Sequence, residues 1–230
     1  MLNATHFIDR FDAGRRLGLA LRKHITDRPL IVLGLPRGGV PVASRVAEEL
    51  GAPLDIFVVR KLGVPGYEEL AFGAIASGGA RVLNADIIRD LGIRPETIER
   101  VVVAEEFELR RREAAFRGDR PFPVVAAETV IVVDDGAATG ASMRVAILAL
   151  RELGPRAIIA AVPVASVAAL ELLDAVADDC HCIIAPEPFH GVGFWYQDFS
   201  QVPDDEVRDL LADARRRWST APVGAPALTR

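Results

Sequence analysis

The sequence predicts an α/β domain in which a parallel sheet is flanked by helices, and two patterns favour this fold class. Apolar runs such as Leu30–Leu33 and Thr129–Val133 lack polar alternation, which is typical of strands buried on both faces. Segments in which apolar residues recur at helical spacing separate these runs. Because strands that alternate with helices form right-handed βαβ units, we expect one parallel sheet of about five strands.

The composition fits one domain and argues against two classes of function. The chain has 230 residues, of which 50 % are hydrophobic, enough for one large core. Its 32 acidic and 27 basic residues give a net charge of -5, which disfavours nonspecific nucleic-acid binding. No apolar stretch is long enough to cross a membrane, and the N-terminus lacks a secretory pattern. Cys180 and Cys182 are too close in the sequence to form an ordinary disulfide. We therefore expect a cytoplasmic protein without nucleic-acid or membrane partners.

The first half of the chain contains two helix and strand pairs, followed by an irregular segment. Leu17 and Leu21 share one face of the first helix, and Gly51 is a suitable end for the second. The predicted elements are a helix over Asp9–Ile25, a strand over Leu30–Leu33, a helix between Gly39 and Gly51, and a strand over Leu54–Val59. Residues 60–80 combine turn formers and charges with little periodicity, so we expect a mobile loop of the kind that closes over active sites.

In the second half of the chain, predicted strands again alternate with predicted helices. Pro95 begins a long charged helix that runs to about Phe116, in which Arg110–Arg112 are interpreted as part of a solvated face. The other predicted elements are strands over Arg81–Leu83, Thr129–Val133, Ala157–Val162 and Cys180–Ile184, helices over Thr139–Leu153 and Val167–Val176, and a last helix that opens at Pro203 and buries Trp218. Residues 219–230 are predicted to be a disordered tail, which limits the domain to residues 1–218.

The most informative segment follows the predicted strand Thr129–Val133. Two carboxylates, Asp134 and Asp135, precede small and hydroxyl residues that open a helix. Backbone N–H groups at such a turn can hold a phosphate, while the acids accept hydrogen bonds from sugar hydroxyls. The predicted phosphate-binding residues are Gly136, Ala137, Ala138, Thr139, Gly140, Ala141 and Ser142. An ordinary turn in which Asp134 only caps the next helix is the alternative.

This segment resembles the motif with which type I phosphoribosyltransferases bind phosphoribosyl pyrophosphate (PRPP). The shared pattern is an apolar run, two acids, small residues, Thr-Gly, a small residue and a Ser or Thr, although many members carry a hydroxyl residue where this chain has Ala138. The resemblance implies the family's parallel sheet and a small C-terminal hood, here at about 185–203. It also implies transfer of ribose 5-phosphate from PRPP to a nitrogenous acceptor such as a nucleobase, with Mg²⁺ as cofactor and pyrophosphate released. Homodimers are common in the family.

Two further segments match positions that contact pyrophosphate in this family. Arg37, Gly38 and Gly39 follow the first strand, where the arginine would meet the diphosphate together with backbone N–H groups. Arg60 and Lys61 resemble the start of the mobile catalytic loop of orotate-type members, in which Lys61 would neutralise the leaving group. The catalytic residues that the resemblance implies are Asp134, Asp135, Lys61 and Arg37. A plain turn and a pair of solvated charges are the respective alternatives.

The aromatic-rich segment before the last helix occupies the position of the hood that recognises the acceptor in the family. Phe194, Trp195 or Tyr196 would stack on a flat base, and Asp198 is a candidate metal ligand; otherwise Mg²⁺ would be held mainly by substrate and water. A hydrophobic plug or a dimer interface accounts for the same aromatic residues equally well. His190 is either a general base or a hydrogen-bonded structural residue.

An alternative function comes from a different class. A regulatory protein that senses PRPP or a nucleotide, with weak or no turnover, would keep the same phosphate loop. The sequence contains no Gly-x-x-x-x-Gly-Lys-Ser/Thr loop, and no Gly-x-Gly-x-x-Gly follows the first strand. ATPases with that loop, PRPP-making kinases and dinucleotide-binding enzymes are therefore disfavoured.

Overall fold

The computed structural model describes residues 6–220, apart from the side chains of Glu68 and Thr220, and these residues form two sheets flanked by helices. The larger sheet has five parallel strands in the order β2-β1-β6-β7-β8, as the sequence predicts. The strands are β1 (Leu30–Gly34), β2 (Leu54–Ile56), β3 (Val59–Val64), β4 (Tyr67–Ala76), β5 (Arg81–Leu83), β6 (Thr129–Val133), β7 (Ala157–Val164) and β8 (Asp179–Ile184). The helices are α1 (Arg10–Leu21), α2 (Gly39–Leu50), α3 (Ala85–Asp90), α4 (Pro95–Arg117), α5 (Ala141–Arg151), α6 (Val167–Asp174) and α7 (Asp204–Thr220).

The central strands of the larger sheet are buried on both faces because helices cover each side. Every residue of β1 and β6 is buried, in agreement with their uninterrupted apolar sequences. The side chains of one face pack against α5, and those of the other face pack against α1 and α2. The core therefore continues through the sheet and holds its strands in a fixed register.

The register of β1 and β6 places two turns side by side. The strands pair from Leu30 opposite Thr129 to Gly34 opposite Val133, so they end at the same level. The chain segments that follow, residues 35–39 and 134–140, leave the same edge of the sheet. Ligands of open α/β sheets bind at this carboxyl edge.

The predicted mobile loop at residues 60–80 is wrong, because most of this segment forms a second sheet. β3, β4 and β5 are antiparallel, and Gly66, with φ of 83°, lies in the turn between β3 and β4. Leu62 and Phe72 are fully buried within this sheet. The pairing shifts register on both sides of Gly63, which interrupts the alternation that would have indicated a strand in the sequence. The predicted strand Leu54–Val59 correspondingly divides into β2 and the beginning of β3.

The smaller sheet packs against the two long helices. Ile98 and Val102 of α4 join Val207 and Leu211 of α7 in one buried cluster with side chains of β3 and β4. Arg117, whose side chain is 2 % exposed, pairs with Asp55 at 2.9 Å and ties α4 to β2. None of the helices within residues 6–220 combines the length and apolar character that a membrane span needs.

The C-terminal boundary differs from the prediction in two respects. Trp218 is 51 % exposed, so it does not belong to the buried face of α7 as predicted. The helix also continues to Thr220, past the predicted start of the tail at residue 219. The rest of the predicted tail, residues 221–230, lies outside the described residues. The short helix α3, which the sequence patterns did not predict, begins at Asn84, whose side chain accepts hydrogen bonds from the N–H groups of Asp86 and Ile87.

Candidate active site

Two adjacent aspartates follow β6 at the centre of the larger sheet. The backbone N–H of Asp135 donates to Asp134 Oδ1 at 2.9 Å, and Arg10 Nε donates to Asp135 Oδ2 at 2.8 Å. Burial raises the pKa of Asp134 well above its ordinary value, and the negative charge of Asp135 raises it further. Burial also raises the pKa of Asp135, an effect that the Arg10 guanidinium partly offsets. The pair is a desolvated acidic centre that favours contact with hydroxyl groups or positive charge.

Arg10 is a component of this centre that the sequence patterns did not reveal. Its Nη1 donates to the backbone oxygen of Ser200 at 2.8 Å, and its guanidinium lies 3.9 Å from the ring centre of Phe199. The Tyr196 hydroxyl donates to the backbone oxygen of Asp135 at 2.5 Å. Arg10 and Tyr196 therefore hold the acid between α1 and the segment before α7. Because Arg10 and Asp135 are 125 positions apart, no local spacing indicates their contact.

The turn after β1 lies directly against the acid pair. A Cβ atom on Gly38 would overlap the Asp135 carboxylate, and one on Gly39 would lie 2.6 Å from the backbone oxygen of Val133. Only glycine fits this close approach. Arg37 instead lies near α7, where its Nη1 is 3.3 Å from Asp204 Oδ1. The two predicted glycines are therefore beside the acids, whereas the predicted arginine is engaged elsewhere at a largely exposed ion pair.

The loop between β6 and α5 presents a row of backbone N–H groups. The N–H of Ala137 is occupied, because it donates to the Val164 oxygen of β7 at 2.9 Å. Within residues 6–220, the N–H groups of Ala138, Thr139 and Gly140 have no hydrogen-bond partner. Gly140, with φ of 69°, directs the chain into α5. Three successive donors at a helix N-terminus form a concave site suited to a phosphate.

Asp134 and the start of α5 border a cleft of about 200 Å³. It is lined by Leu35, Pro36, Phe57, Val58, Val59, Arg112, Asp134 and Ser142. One wall comes from the turn after β1, another from Asp134 and the start of α5, a third from residues 57–59, and a fourth from α4. Asp134 and Ser142 are thereby brought together as predicted, but Arg112 of α4 was not predicted to be here.

Sequence and structure comparisons identify the family to which this arrangement belongs. Residues 8–198 match the family model of the phosphoribosyl transferase domain. The chain belongs to this family. Two relatives from Mycobacterium tuberculosis, named "Putative phosphoribosyl transferase Rv0571c" and "Putative phosphoribosyl transferase MT0597", are each 42 % identical over 215 residues, which cover 94 % of this chain and 48 % of the relative. The chain thus spans about half the length of these curated relatives.

A solved structure supports the fold of this chain. The crystal structure of TT1426 from Thermus thermophilus is 41 % identical in sequence and superposes with a TM-score of 0.81. The match covers 90 % of this chain and 98 % of that one. The predicted family and the predicted fold, a parallel sheet flanked by helices, are both confirmed.

Two predicted pyrophosphate ligands, Arg60 and Lys61, do not line the cleft. Arg60 and Lys61 are neighbours in β3, so their side chains point to opposite faces of the smaller sheet. Arg60 Nη2 is 2.6 Å from Glu105 Oε2 of α4. Lys61 lines a different cavity of about 520 Å³, together with Arg144. Both residues belong to a paired strand and not to an irregular loop as predicted, and their roles toward pyrophosphate stay predictions.

The predicted hood of the phosphoribosyl transferase is folded partly as a plug. Trp195 and Tyr196 are 9 % and 6 % exposed and pack in a cluster with Phe7, so neither presents a free face for base stacking as predicted. Phe194 is 55 % exposed and lies 5.0 Å from the His190 ring. Of the three predicted aromatic contacts, Phe194 alone is open to a ligand.

Asp198, the predicted metal ligand of the phosphoribosyl transferase, is exposed and accepts a hydrogen bond from the Ser200 N–H at 2.9 Å. This hydrogen bond lowers the pKa of the Asp198 carboxyl. Across the described part of the chain, no three acidic, histidine or cysteine side chains lie close enough together to bind a metal ion. The role of Asp198 therefore stays a prediction.

Proposed function

We propose that this protein transfers ribose 5-phosphate from PRPP to a nitrogenous acceptor, with release of pyrophosphate. The observation that carries this proposal is an acidic pair followed in the same turn by three unpartnered N–H groups, beside a small cleft that Asp134 lines. The N–H groups of Ala138–Gly140 suit the terminal phosphate of a pentose, and the acids suit its ribose hydroxyls.

The residues of the site would act by positioning and charge. As the bond to pyrophosphate stretches, positive charge develops on the ribose ring, and the carboxylates of Asp134 and Asp135 supply nearby negative potential. Arg10 holds Asp135 in place through its hydrogen bond. Gly38 and Gly39 let the turn after β1 pack directly against the acids, so that Leu35 and Pro36 of this turn border the same cleft as Asp134.

The donor set fits a magnesium ion that is bound mainly through the substrate. Asp134 and Asp135 offer oxygen ligands, which Mg²⁺ prefers, while the shortage of further ligands among the described residues leaves its other positions to substrate oxygens and water. When bound, Mg²⁺ would neutralise charge on the diphosphate.

The acceptor we propose is a flat, nucleobase-like compound. The exposed ring of Phe194, beside His190, provides an apolar surface on which such a ring could stack. His190 remains a candidate for accepting a proton from the acceptor nitrogen. The alternative, a PRPP sensor with little turnover, would use the same phosphate loop and acids.

An assay of pyrophosphate release separates the two functions. The protein is incubated with PRPP and Mg²⁺ and offered purines, pyrimidines and orotate in turn, and PRPP binding is measured by calorimetry. Acceptor-dependent pyrophosphate release supports the transferase. PRPP binding without release on any of these acceptors supports the sensor, and absence of PRPP binding contradicts both.

Asp135→Asn is expected to weaken PRPP binding more than tenfold. The substitution removes a charged acceptor of a ribose hydroxyl, an interaction worth about 1.5–3 kcal/mol. Calorimetric titration with PRPP and Mg²⁺ measures the change. Asp90→Asn, at an exposed position on α3, is the control and should bind like the unaltered protein. Equal PRPP affinity for Asp135→Asn and the control would refute the ribose role of Asp135.

A further inference from the structure

Three consecutive arginines of α4 have three different environments. Arg110 is 3.4 Å from Glu106, and Arg111 is 2.9 Å from Glu108, so both form ion pairs on the outer surface of the helix. Arg112 lines the cleft that contains Asp134. All three arginines are exposed, as the interpretation of a solvated face implies, but Arg112 differs from the other two because it borders the cleft.

The position of Arg112 follows from the periodicity of α4. The inward stripe of this helix advances by alternating steps of four and three residues, and it consists of Ile98, Val102, Glu105, Leu109, Arg112 and Phe116. The four apolar members of the stripe are buried. Glu105 is neutralised by Arg60. Arg112 is the remaining charged member, and its exposed side chain lines the cleft.

Within residues 6–220, no protein group is bonded to the Arg112 side chain. Arg112 forms neither an ion pair nor a hydrogen bond there, and its side chain is exposed to the cleft. Glu108 lies near enough to sense the charge of Arg112, but its carboxylate is bound by Arg111. The Arg112 guanidinium is thus free to bind a ligand.

The other cations expected near a diphosphate are occupied or distant. Arg10 pairs with Asp135, and Arg37 pairs with Asp204. Lys61 lines another cavity. None of these three side chains lines the cleft, whereas Arg112 does.

The walls opposite Arg112 indicate what it binds. Leu35 and Pro36 belong to the turn that leads into Gly38 and Gly39, and they line the same cleft as Arg112. Ser142, at the start of α5, also lines it. A diphosphate in this cleft would have Arg112 as its counter-charge, because the guanidinium is the one uncommitted cation among the cleft residues described.

We propose that Arg112 binds the diphosphate of PRPP and stabilises pyrophosphate as the leaving group. This inference rests on the proposed transferase or sensor function, since both require PRPP. The positive charge that neutralises the diphosphate would then come from α4, whereas the sequence led us to expect it from Lys61 at a mobile loop. Arg112 would neutralise negative charge that accumulates on the departing oxygen, and it would leave the ribose 5-phosphate end of the substrate to the loop after β6.

The test compares three ligands with three variants. PRPP, inorganic pyrophosphate and ribose 5-phosphate, each with Mg²⁺, are titrated into Arg112→Ala, Arg112→Lys and the surface control Arg110→Ala. For Arg112→Ala we expect affinity for PRPP and pyrophosphate to fall at least about tenfold and affinity for ribose 5-phosphate to change less than about twofold, because a contact with the diphosphate alone is lost. Arg112→Lys should recover part of the loss, because lysine restores the charge without the two-pronged geometry. Arg110→Ala should match the unaltered protein.

The ligand pattern separates a binding role from a structural one. A general disturbance of the fold would lower the affinity for all three ligands together, and that result would overturn the inference. Unchanged pyrophosphate affinity in Arg112→Ala would overturn it as well. If Arg112→Ala did not fold, unchanged pyrophosphate affinity in Arg112→Lys would still contradict the two-pronged contact. If the unaltered protein bound no PRPP, the proposed function itself would fail.

Discussion

Replacing Gly140 with valine is expected to abolish PRPP binding, with a loss of affinity of at least about a hundredfold, the scale associated with removing a preorganised anion-binding group. Gly140 has φ of 69°, a conformation that a β-branched residue adopts only with strain. A Cβ atom there would lie 3.1 Å from the backbone oxygen of Ala169 in α6, so the chain would have to move. Movement at this residue would separate the N–H groups of Ala138 and Thr139 from that of Gly140. Calorimetry with PRPP and Mg²⁺ measures the loss.

Gly154→Val provides a matched control for this prediction. Gly154 has φ of 67°, nearly that of Gly140, but a Cβ atom there would meet no other atom within 4 Å. It follows α5, at the opposite end of that helix from the phosphate loop. Both variants should lose about 1–2 kcal/mol of stability from backbone strain, yet Gly154→Val should keep its PRPP affinity. Equal affinities in the two variants would contradict the anion-binding role of the loop.

The sequence predicted the larger sheet because its signals are local. β1 and β6 consist of consecutive apolar residues, and such runs indicate burial on both faces wherever helices alternate with strands. The segment from Asp134 to Ser142 was equally easy to recognise in the sequence, since its acids, glycines and hydroxyl residues are contiguous. Its unpartnered N–H groups depend only on the conformation of this turn and on the start of α5.

The misplaced features depend on contacts between distant parts of the chain. Arg10 meets Asp135 across the whole fold, and the burial of Tyr196 depends on Phe7 and the backbone of Asp135. The β3–β4 hairpin was hidden for a different reason, because its register shifts disrupt the alternation on which strand prediction relies. Arg112 was within reach of sequence reasoning, since it falls on the apolar stripe of α4, but the adjacent arginines concealed that periodicity.

Asp134→Asn is expected to stabilise the protein at neutral pH. Burial and the charge of Asp135 raise the pKa of Asp134 in the folded state, so the folded protein binds this proton more tightly than the unfolded chain does. The resulting stabilisation is fully present below the unfolded pKa, about 3.9, and is lost as the pH rises through the folded pKa. At pH values above the unfolded pKa, Asp134 therefore costs the folded protein stability, a cost that asparagine does not have because it does not ionise. The amide oxygen can still accept the hydrogen bond from the Asp135 N–H.

Urea unfolding across pH 4 to 8 tests this dependence. At pH 7 the gain should be on the order of 1 kcal/mol, or about 2–4 °C in Tm for a chain of this size, and it should shrink as the pH approaches 4. Asp209→Asn, at an exposed position on α7, controls for the general loss of a negative charge. A gain that is independent of pH, or a loss of stability at pH 7, would show that Asp134 is not held in a strained ionised state.

The same substitution should cost activity, and the two effects have one cause. An amide supplies no negative potential to a ribose ring that becomes positively charged, so acceptor-dependent pyrophosphate release should fall by about a hundredfold in Asp134→Asn. A carboxylate kept in a buried, like-charged position weakens the folded protein and is retained where the reaction needs it. A variant that gained stability and kept full turnover would show that the carboxylate of Asp134 takes no part in the reaction. A variant that lost both would instead make Asp134 a structural residue of the turn after β6.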